Sequence, residues 1–466
     1  MQSTYQIYKK KLNQRERTHA KVPQSNISII ATIIGNVSHD NLREAIKKMK
    51  LRHPILNSHL ESKGRNVFLL ANAEIEIPLK IISREREDQW KDIILKEHKI
   101  PFEMIKGPLI RFILLYSAEI SDLIIFCQHT ICDGMSLAYL VRDIMTYLGN
   151  PSKEVEILPS APVVDENNLP SDIKPSLAIR LLGKTISKKW EKSEVLFNYE
   201  DFQELHKVFW KNYNYKAHLY ELSSEDTKAL ILHCRKHGVT INTALIAAFA
   251  LAQNKSNPKS QKYLTKYGVA VDIRKMLINP VGEQFGFFAS GIELNYKYSS
   301  KDTLWDIAKK LYKDANPEKA KKQALIKTLS VFELPSPLME AQLFAAFGHL
   351  ILANSPSYKK IQAFINDDKN LAVKMVKKKL SKGIAMAQIM TNLGKMDFPN
   401  KYGEFILKNL ILMPSCSPYT ELVLGVVTHG GSLSITLNHM ESTISTEKVL
   451  EIKDIVNNLL MNAINH

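Results

Sequence analysis

The sequence lacks the cysteine patterns that build metal centres and disulfide scaffolds. Its 466 residues include four cysteines, with no CxxC spacing and no regular ladder; they are Cys127, Cys132, Cys234 and Cys416. Zinc ribbons need closely paired cysteines, and disulfide-stapled folds need several at regular spacing. We therefore expect no bound metal and a reducing compartment.

Long apolar runs are also missing. No stretch reaches the ~18 consecutive apolar residues of a membrane-spanning helix. The nearest, residues 338–353, is interrupted by Glu340, Gln342 and His349. Residues 1–21 are basic but lack the apolar core of a signal peptide. We expect a soluble, cytoplasmic protein. Residues 338–353 form either a core helix or, alternatively, a lid or interfacial surface that admits a long-chain substrate.

Acidic residues are fewer than basic ones. Lysine and arginine number 63 against 47 aspartates and glutamates, a formal net charge of +16. No basic segment alternates with aromatic residues in the manner of a single-strand nucleic-acid binder, so we expect no nucleic-acid partner. The excess fits a lysine-rich solvated surface, an acidic carrier protein, anionic lipid or a phosphate-rich cosubstrate.

What remains is an ordinary globular composition, 45% hydrophobic and 24% charged. Strand-like and helix-like stretches alternate along the chain, without a repeat of fixed period. Apolar runs predict strands at residues 27–34, 109–116 and 123–127, and helical spacing predicts helices at residues 38–52 and 134–145. Residues 303–382 read as mostly helical, residues 405–439 as strands and residues 446–463 as a closing helix. This rhythm predicts a two-lobed α/β protein.

The strongest local pattern is residues 128–134, which read QHTICDG. A predicted buried strand delivers His129 to its end, a short loop carries Asp133 and Gly134, and an amphipathic helix follows at once. Histidine is the side chain whose ordinary pKa permits proton transfer near neutral pH. On spacing alone, His129 is either a general base or a loop histidine that hydrogen-bonds its surroundings.

This HxxxDG pattern resembles the motif of the chloramphenicol acetyltransferase-like acyltransferases, which include nonribosomal peptide condensation domains and polyketide-associated acyltransferases. Further segments resemble other elements of that superfamily in the expected order. They are Arg52-His53-Pro54, Lys106-Gly107-Pro108-Leu109, Val271-Asp272-Ile273-Arg274 with Gly286-Phe287-Phe288, and Thr391-Asn392-Leu393-Gly394. Gln128 stands where the doubled-histidine form has its first histidine. The resemblance is nearest to free-standing polyketide-associated acyltransferases.

The resemblance implies mixed sheets in two similar lobes that form a V-shaped pseudo-dimer around a central tunnel. We expect an N-terminal lobe at residues 1–165, a linker at residues 166–195 and a C-terminal lobe at residues 196–466. The sign of a linker is the stretch of residues 150–175, which is rich in proline, aspartate and asparagine and overlaps the start of this range.

Carried over residue by residue, the resemblance makes His129 the general base. Asp133 then supports the site by pairing with Arg274 across the lobes. Gly134 places a backbone N–H near the developing oxyanion, and Asn392 lines the tunnel. No metal takes part.

Three other patterns give weaker evidence of function. Gly183-Lys184-Thr185 lacks the first glycine of a phosphate-binding loop, because position 178 is Ala178. His233 and His237 share a helical face without the glutamate of a metalloprotease, which favours a structural or exposed pair. Cys132 lies inside the motif as a small packed residue or, alternatively, a nucleophile.

The sequence therefore predicts an acyltransferase that moves an acyl group from a thioester to a hydroxyl or amine acceptor. The thioester is carried by coenzyme A or by the phosphopantetheine of an acidic acyl carrier protein, as cosubstrate and not as a bound cofactor. Transfer is direct, without an acyl-enzyme. Two alternatives stay open: an amide-forming condensation enzyme with carrier-bound substrates, and a non-catalytic scaffold. We expect a monomer with a small-molecule acceptor and, in addition, contact with lipid or a peripheral membrane site.

Overall fold

A computed structural model describes residues 9–159, 161–257, 264–381, 383 and 386–465. Within them, fifteen strands form two six-stranded sheets and one small sheet. The strands are β1 Lys9–Lys11, β2 Asn26–Ile34, β3 Ser58–Lys63, β4 Asn66–Ala71, β5 Leu79–Ser83, β6 Ile110–Tyr116, β7 Ile120–Gln128, β8 Tyr215–Leu222, β9 Lys266–Asp272, β10 Ala289–Asn295, β11 Met386–Lys395, β12 Lys401–Tyr402, β13 Phe405–Met413, β14 Thr420–His429 and β15 Ser432–Met440.

Fourteen α-helices accompany these strands in the same part of the chain. They are α1 Gln14–His19, α2 His39–Arg52, α3 Trp90–His98, α4 Gly134–Gly149, α5 Leu177–Glu191, α6 Tyr199–Asn212, α7 Ser224–Lys236, α8 Ile241–Ser256, α9 Leu304–Ala315, α10 Pro317–Phe332, α11 Ser336–Phe347, α12 Tyr358–Ile365, α13 Leu371–Leu380 and α14 Thr446–Asn465. Short 3₁₀ turns occupy Pro54–Asn57, Arg274–Met276 and Gly348–Leu350. The mixed α/β class predicted from the sequence is confirmed.

The first sheet has the strand order β12-β13-β2-β7-β6-β5. Its pairs are antiparallel except for the parallel pair β5 and β6. Strand β7 lies between β2 and β6, and its residues from Ser121 to Gln128 are buried, so its end is fixed from both sides. This strand delivers His129.

The second sheet has the order β10-β9-β11-β14-β15-β8, with β11 parallel to both of its neighbours. Helices α8 and α14 pack together, and their buried residues share one hydrophobic cluster with those of β14 and β15. The fold thus places a sheet in each half, as the alternating pattern of the sequence predicts.

Part of the second half of the chain belongs to the first sheet. Strands β12 and β13 come from the second half of the sequence but pair within the first sheet, where β13 runs beside β2. Helix α5 lies within the stretch expected to be a linker. The lobe boundaries drawn from the sequence remain predictions.

Residues 338–353 show a buried helix. Leu338 and Phe344 of α11 are fully buried in the first hydrophobic cluster, which favours the core-helix interpretation of this segment. No helix in the described ranges is both long enough and apolar enough to cross a membrane.

Candidate active site

His129 follows β7 directly and is held by two backbone hydrogen bonds. Its N–H donates to the Ser25 carbonyl at 2.9 Å, and its Nδ1 lies 2.7 Å from the Cys132 carbonyl oxygen. A carbonyl can only accept, so Nδ1 carries the proton and Nε2 is left as the basic nitrogen.

The surroundings of His129 keep the ring neutral. Burial lowers its pKa below the ordinary value of 6.5 and the charge of Arg15 lowers it further, whereas the Cys132 carbonyl and Asp133 act in the opposite direction. Because the net shift is downward, the imidazole is uncharged at neutral pH and able to accept a proton.

Asp133 caps helix α4 and joins the two halves of the chain. It accepts from the Ser136 N–H at 2.9 Å and from the Phe288 N–H at 2.8 Å. Both of its carboxylate oxygens also accept from Arg274, each at 2.8 Å, and both side chains are buried. Burial alone would raise the pKa of Asp133, but Arg274 and the two N–H donors hold it below its ordinary value.

Ser136 completes this network. Its hydroxyl accepts from Arg274 at 2.7 Å and from the Gly286 N–H at 3.1 Å, and it donates to the Gly286 carbonyl at 2.8 Å. Since Asp133 and Ser136 both bond to the loop of residues 286–288, the first turn of α4 is fixed to the second half of the chain.

Helix α4 begins at Gly134, where the space is too small for a side chain. The φ of Gly134 is not positive, so the turn itself does not require glycine. A Cβ at this position would lie 2.7 Å from a methyl group of Leu393, in the Thr391-Asn392-Leu393-Gly394 segment. The Gly134 N–H belongs to the first helical turn, where N–H groups have no partner within the helix. Its role towards an oxyanion stays a prediction.

Asn392 is half-buried in β11, and its side chain accepts from the Gly394 N–H at 2.8 Å. This bond shapes the irregularity in β11 between Asn392 and Lys395. Leu393, the next residue, is the one that contacts Gly134. The segment therefore lies beside the first turn of α4, and the lining role of Asn392 remains a prediction.

The Arg52-His53-Pro54 segment supports α4 from its other end. Arg52 Nε donates to Asp143 at 2.8 Å, and His53 Nε2 lies 3.4 Å from the same carboxylate oxygen. This network lowers the pKa of Asp143 to about 2 against the opposing effect of burial. These residues position α4 and do not face His129.

Sequence reasoning missed the basic residues that surround His129. The ring centres of His19 and His129 are 4.6 Å apart, and Phe287 lies 5.1 Å from His129. The Arg15 guanidinium stands 4.9 Å from the Phe287 ring. Arg15 and His19 are four residues apart on α1, after the capping box of Asn13 and Glu16. That capping box was the available signal for a helix presenting both side chains on one face.

The weaker patterns resolve as structural features. Cys132 is fully buried, and burial raises its thiol pKa well above the ordinary value, which disfavours a nucleophile. Gly183-Lys184-Thr185 lies inside α5 and not in a loop. His237 stacks on Trp305 with ring centres 4.2 Å apart. Across the described ranges, no group of three or more His, Cys, Asp or Glu side chains is placed to hold a metal ion.

Two cavities adjoin α1, with volumes of about 460 Å³ and 650 Å³. Arg17, Arg65 and Pro337 contribute to both linings, and His129 lines neither of them. The tunnel past His129 that the resemblance implies remains a prediction.

Comparison with known proteins agrees with this geometry. A family model described as the Condensation domain matches residues 10–162, which contain His129, Asp133 and Gly134. Two solved structures superpose over 100% of the chain. The trichothecene 15-O-acetyltransferase of Fusarium sporotrichioides does so over 96% of its own length, with a TM-score of 0.67 and 10% identity. The epimerization domain of tyrocidine synthetase B does so over 98% of its length, with a TM-score of 0.62 and 12% identity.

The chain has the condensation-domain fold. The resemblance drawn from the motifs is thus confirmed: the Condensation model matches residues 10–162, and the fold of the chain is similar to condensation domains and to the acetyltransferase. Among curated sequences, surfactin synthase subunit 2 of Bacillus subtilis (strain 168) is 28% identical over 120 residues. That match covers 26% of this chain and only 3% of the much longer synthase. The structural similarity therefore spans the whole chain, whereas the Condensation match spans residues 10–162.

Proposed function

We propose that the chain is an acyltransferase with His129 as its general base. The observation that supports this most is the position of His129. Its Nδ1 donates a hydrogen bond to the Cys132 carbonyl, which leaves Nε2 able to accept a proton. The neighbouring Asp133–Arg274 pair fixes the loop that carries His129. Positioned proton transfer of this kind contributes roughly 10²–10⁴-fold in rate.

In the proposed reaction, Nε2 of His129 takes the proton of an acceptor hydroxyl or amine as that group attacks the thioester carbonyl. A new C–O or C–N bond forms, the C–S bond breaks, and the imidazolium returns the proton to the departing thiolate. The Gly134 N–H stabilises the oxyanion between the two steps, and Asn392 lines the path of the substrates. Asp133 and Arg274 hold the geometry without touching the substrate.

The proposed donor is a thioester of coenzyme A or of a phosphopantetheine-bearing carrier protein, and the proposed acceptor is a small molecule. The names of similar proteins accord with acyl transfer to oxygen and with a synthetase setting, since one is an O-acetyltransferase and another is a domain of tyrocidine synthetase B. The second candidate, amide formation between carrier-bound partners, is favoured by the Condensation match over residues 10–162. Coenzyme A and carrier-loaded forms of the same thioester, offered separately, discriminate between the two.

The test is a comparison of wild type with His129→Ala. A panel of acyl thioesters and acceptors, read by mass spectrometry, first identifies a reacting pair. We then expect His129→Ala to lower kcat by about 10²–10⁴-fold with little change in donor affinity, because the lost group acts on the acceptor proton. The melting temperature should stay close to that of wild type.

His233→Ala is the matched control, since this half-exposed histidine lies on α7, outside the site. It should leave kcat unchanged. A folded His129→Ala protein within about threefold of the wild-type kcat, less than ~1 kcal/mol in barrier, contradicts the assignment of His129. Absence of transfer from every thioester supports the scaffold alternative instead.

A further inference from the structure

Helix α5 exposes an unusual amount of apolar surface. Leu177, Leu181 and Leu182 are exposed to 69%, 54% and 59%, and Ile179 to 36%. Leu177, Leu181 and Leu182 thus face solvent along the first two turns, whereas helical spacing places Ile179 towards the side of the buried Gly183 and Trp190. Single exposed apolar residues are ordinary, but a contiguous group marks an interaction surface.

The helix is nevertheless firmly seated by its other face. Gly183 and Trp190 are buried, and a Cβ at Gly183 would lie 2.8 Å from the Cβ of Glu333, just after α10. Glycine therefore lets α5 approach the end of α10 closely. Helical spacing places Leu177, Leu181 and Lys188 on one line that points away from this contact.

Basic residues surround the exposed leucines. Residues 174–192 contain six lysines and arginines and a single acid, Glu191. Helix α13 contacts α5 and adds Lys374, Lys377, Lys378 and Lys379, all exposed. Of these cations, Arg180 approaches Glu333 at 3.8 Å and Lys377 pairs with Asp368. Within the described ranges, the lysines of α5 have no ion-pair partner. We call this surface, formed by α5 and the lysines of α13, the α5–α13 face.

We propose that the α5–α13 face binds the surface of an anionic membrane. Exposed leucines on one helix suit the boundary between headgroups and acyl chains, and lysines at its margin suit lipid phosphates. The positive charge favours anionic lipid as the binding partner, because a surface that is both basic and apolar is complementary to it. The proposal places lipid contact on α5 and not on residues 338–353, and it does not depend on the activity of His129.

The test is co-sedimentation with phosphatidylcholine vesicles, with and without a third of phosphatidylglycerol. We expect wild type to bind the anionic vesicles only, and less at high salt. Leu181→Ser/Leu182→Ser should weaken binding about tenfold or more, since it removes the apolar contact. Lys184→Glu/Lys188→Glu should do the same by removing the attraction to phosphate.

Leu232→Ser/Lys228→Glu is the matched control, because Leu232 on α7 is exposed to 61% and Lys228 is exposed nearby. It should bind vesicles like wild type. An environment-sensitive dye on Leu182→Cys reports insertion directly, since the four native cysteines are buried. Emission should shift to the blue with anionic vesicles, and the same dye on Leu232→Cys should not respond.

Three outcomes overturn the proposal. One is wild type that stays in solution with anionic vesicles. Another is α5 variants that bind as wild type does. The third is a dimer in gel filtration that Leu181→Ser/Leu182→Ser dissociates, because the leucines would then cover a second copy of this chain.

Discussion

His129 depends on its neighbours for both its tautomer and its charge. The Cys132 carbonyl fixes the proton on Nδ1, and burial together with Arg15 keeps the ring neutral. Among the described residues, no carboxylate lies within ion-pairing distance of Arg15, and burial lowers its own pKa to about 10. The positive charge of Arg15 therefore lowers the pKa of the imidazole, whereas the charge of Asp133 raises it.

This arrangement predicts a shift in the pH profile of Arg15→Met. The base form of His129 is lost as pH falls through its pKa, which lies below 6.5 in wild type. Removing the nearby cation raises that pKa, so the acid limb of kcat/KM should move to higher pH. The measurement is the pH profile of both proteins with one thioester and one acceptor.

Arg235→Met, an exposed position on α7, serves as the control and should leave the acid limb in place. An Arg15→Met enzyme with an unchanged acid limb would show that Arg15 does not act on the titrating base. A uniform loss of activity at all pH values would likewise assign Arg15 a structural role only.

At this scale the sequence predicted the local placement of His129 and Asp133 better than their surroundings. The HxxxDG pattern placed His129 at the end of a strand and Asp133 at the start of a helix, because strand, loop and helix are local in sequence. The positions of Arg15 and His19 were not predicted, because α1 has only six residues and no apolar periodicity. Their place beside His129 follows from the turn of chain between α1 and β2, a tertiary effect that periodicity does not encode.

At the scale of elements, strand β14 carries a buried carboxyl that matters for stability. Glu421 is 4% exposed within the second sheet. Burial raises its pKa from 4.5 to about 7, although a hydrogen bond with Gln253 acts in the opposite direction. The side chain is therefore protonated in the folded protein at pH values where the unfolded chain is already ionised.

Glu421→Gln should consequently stabilise the protein at alkaline pH. A raised pKa in the folded state means stability that is full below pH 4.5 and lost as pH rises through about 7. The glutamine variant avoids this loss, which amounts to at most about 3 kcal/mol. Urea unfolding at pH 5 and pH 8 should show similar stability at the lower pH and a clear gain at the higher.

Glu225→Gln, exposed on α7, is the control and should differ from wild type by less than about 0.5 kcal/mol at both pH values. If the gain from Glu421→Gln is the same at pH 5 as at pH 8, ionisation of Glu421 is not its cause.

Some elements depend on context that the local pattern does not show. Residues 166–195, predicted as a linker from the proline-rich stretch that overlaps them, contain helix α5 with Ser176 as its cap. Strands β12 and β13 lie far from β2 in sequence, and only the sheet register shows that β13 pairs with it. By contrast α2, α4 and α14 follow their apolar spacing closely.

At the scale of the whole molecule, the features that join the halves include these three. Strands β12 and β13 cross into the first sheet, and α1 bonds to the helices of the second half through Gln14 and Arg17. The third is the buried Asp133–Arg274 pair beside His129. The pair couples the geometry of the loop after β7 to the relative position of the halves.

A double-mutant cycle on this pair is the corresponding prediction. Arg274→Met should cost about 3–5 kcal/mol of unfolding free energy, because it leaves the buried Asp133 without its cation. Asp133→Asn should cost less, because Arg274 keeps the partly exposed Asp272 as a partner at 3.1 Å. The double variant leaves neither charge of the buried pair, so its loss should be smaller than the sum of the single losses. Denaturant unfolding of the four proteins gives the coupling. The exposed pair Lys266–Glu293 should show almost none. Additive losses at Asp133 and Arg274 would mean that each residue acts through its backbone partners alone, and the halves would then be joined by β13 and α1 without help from the site.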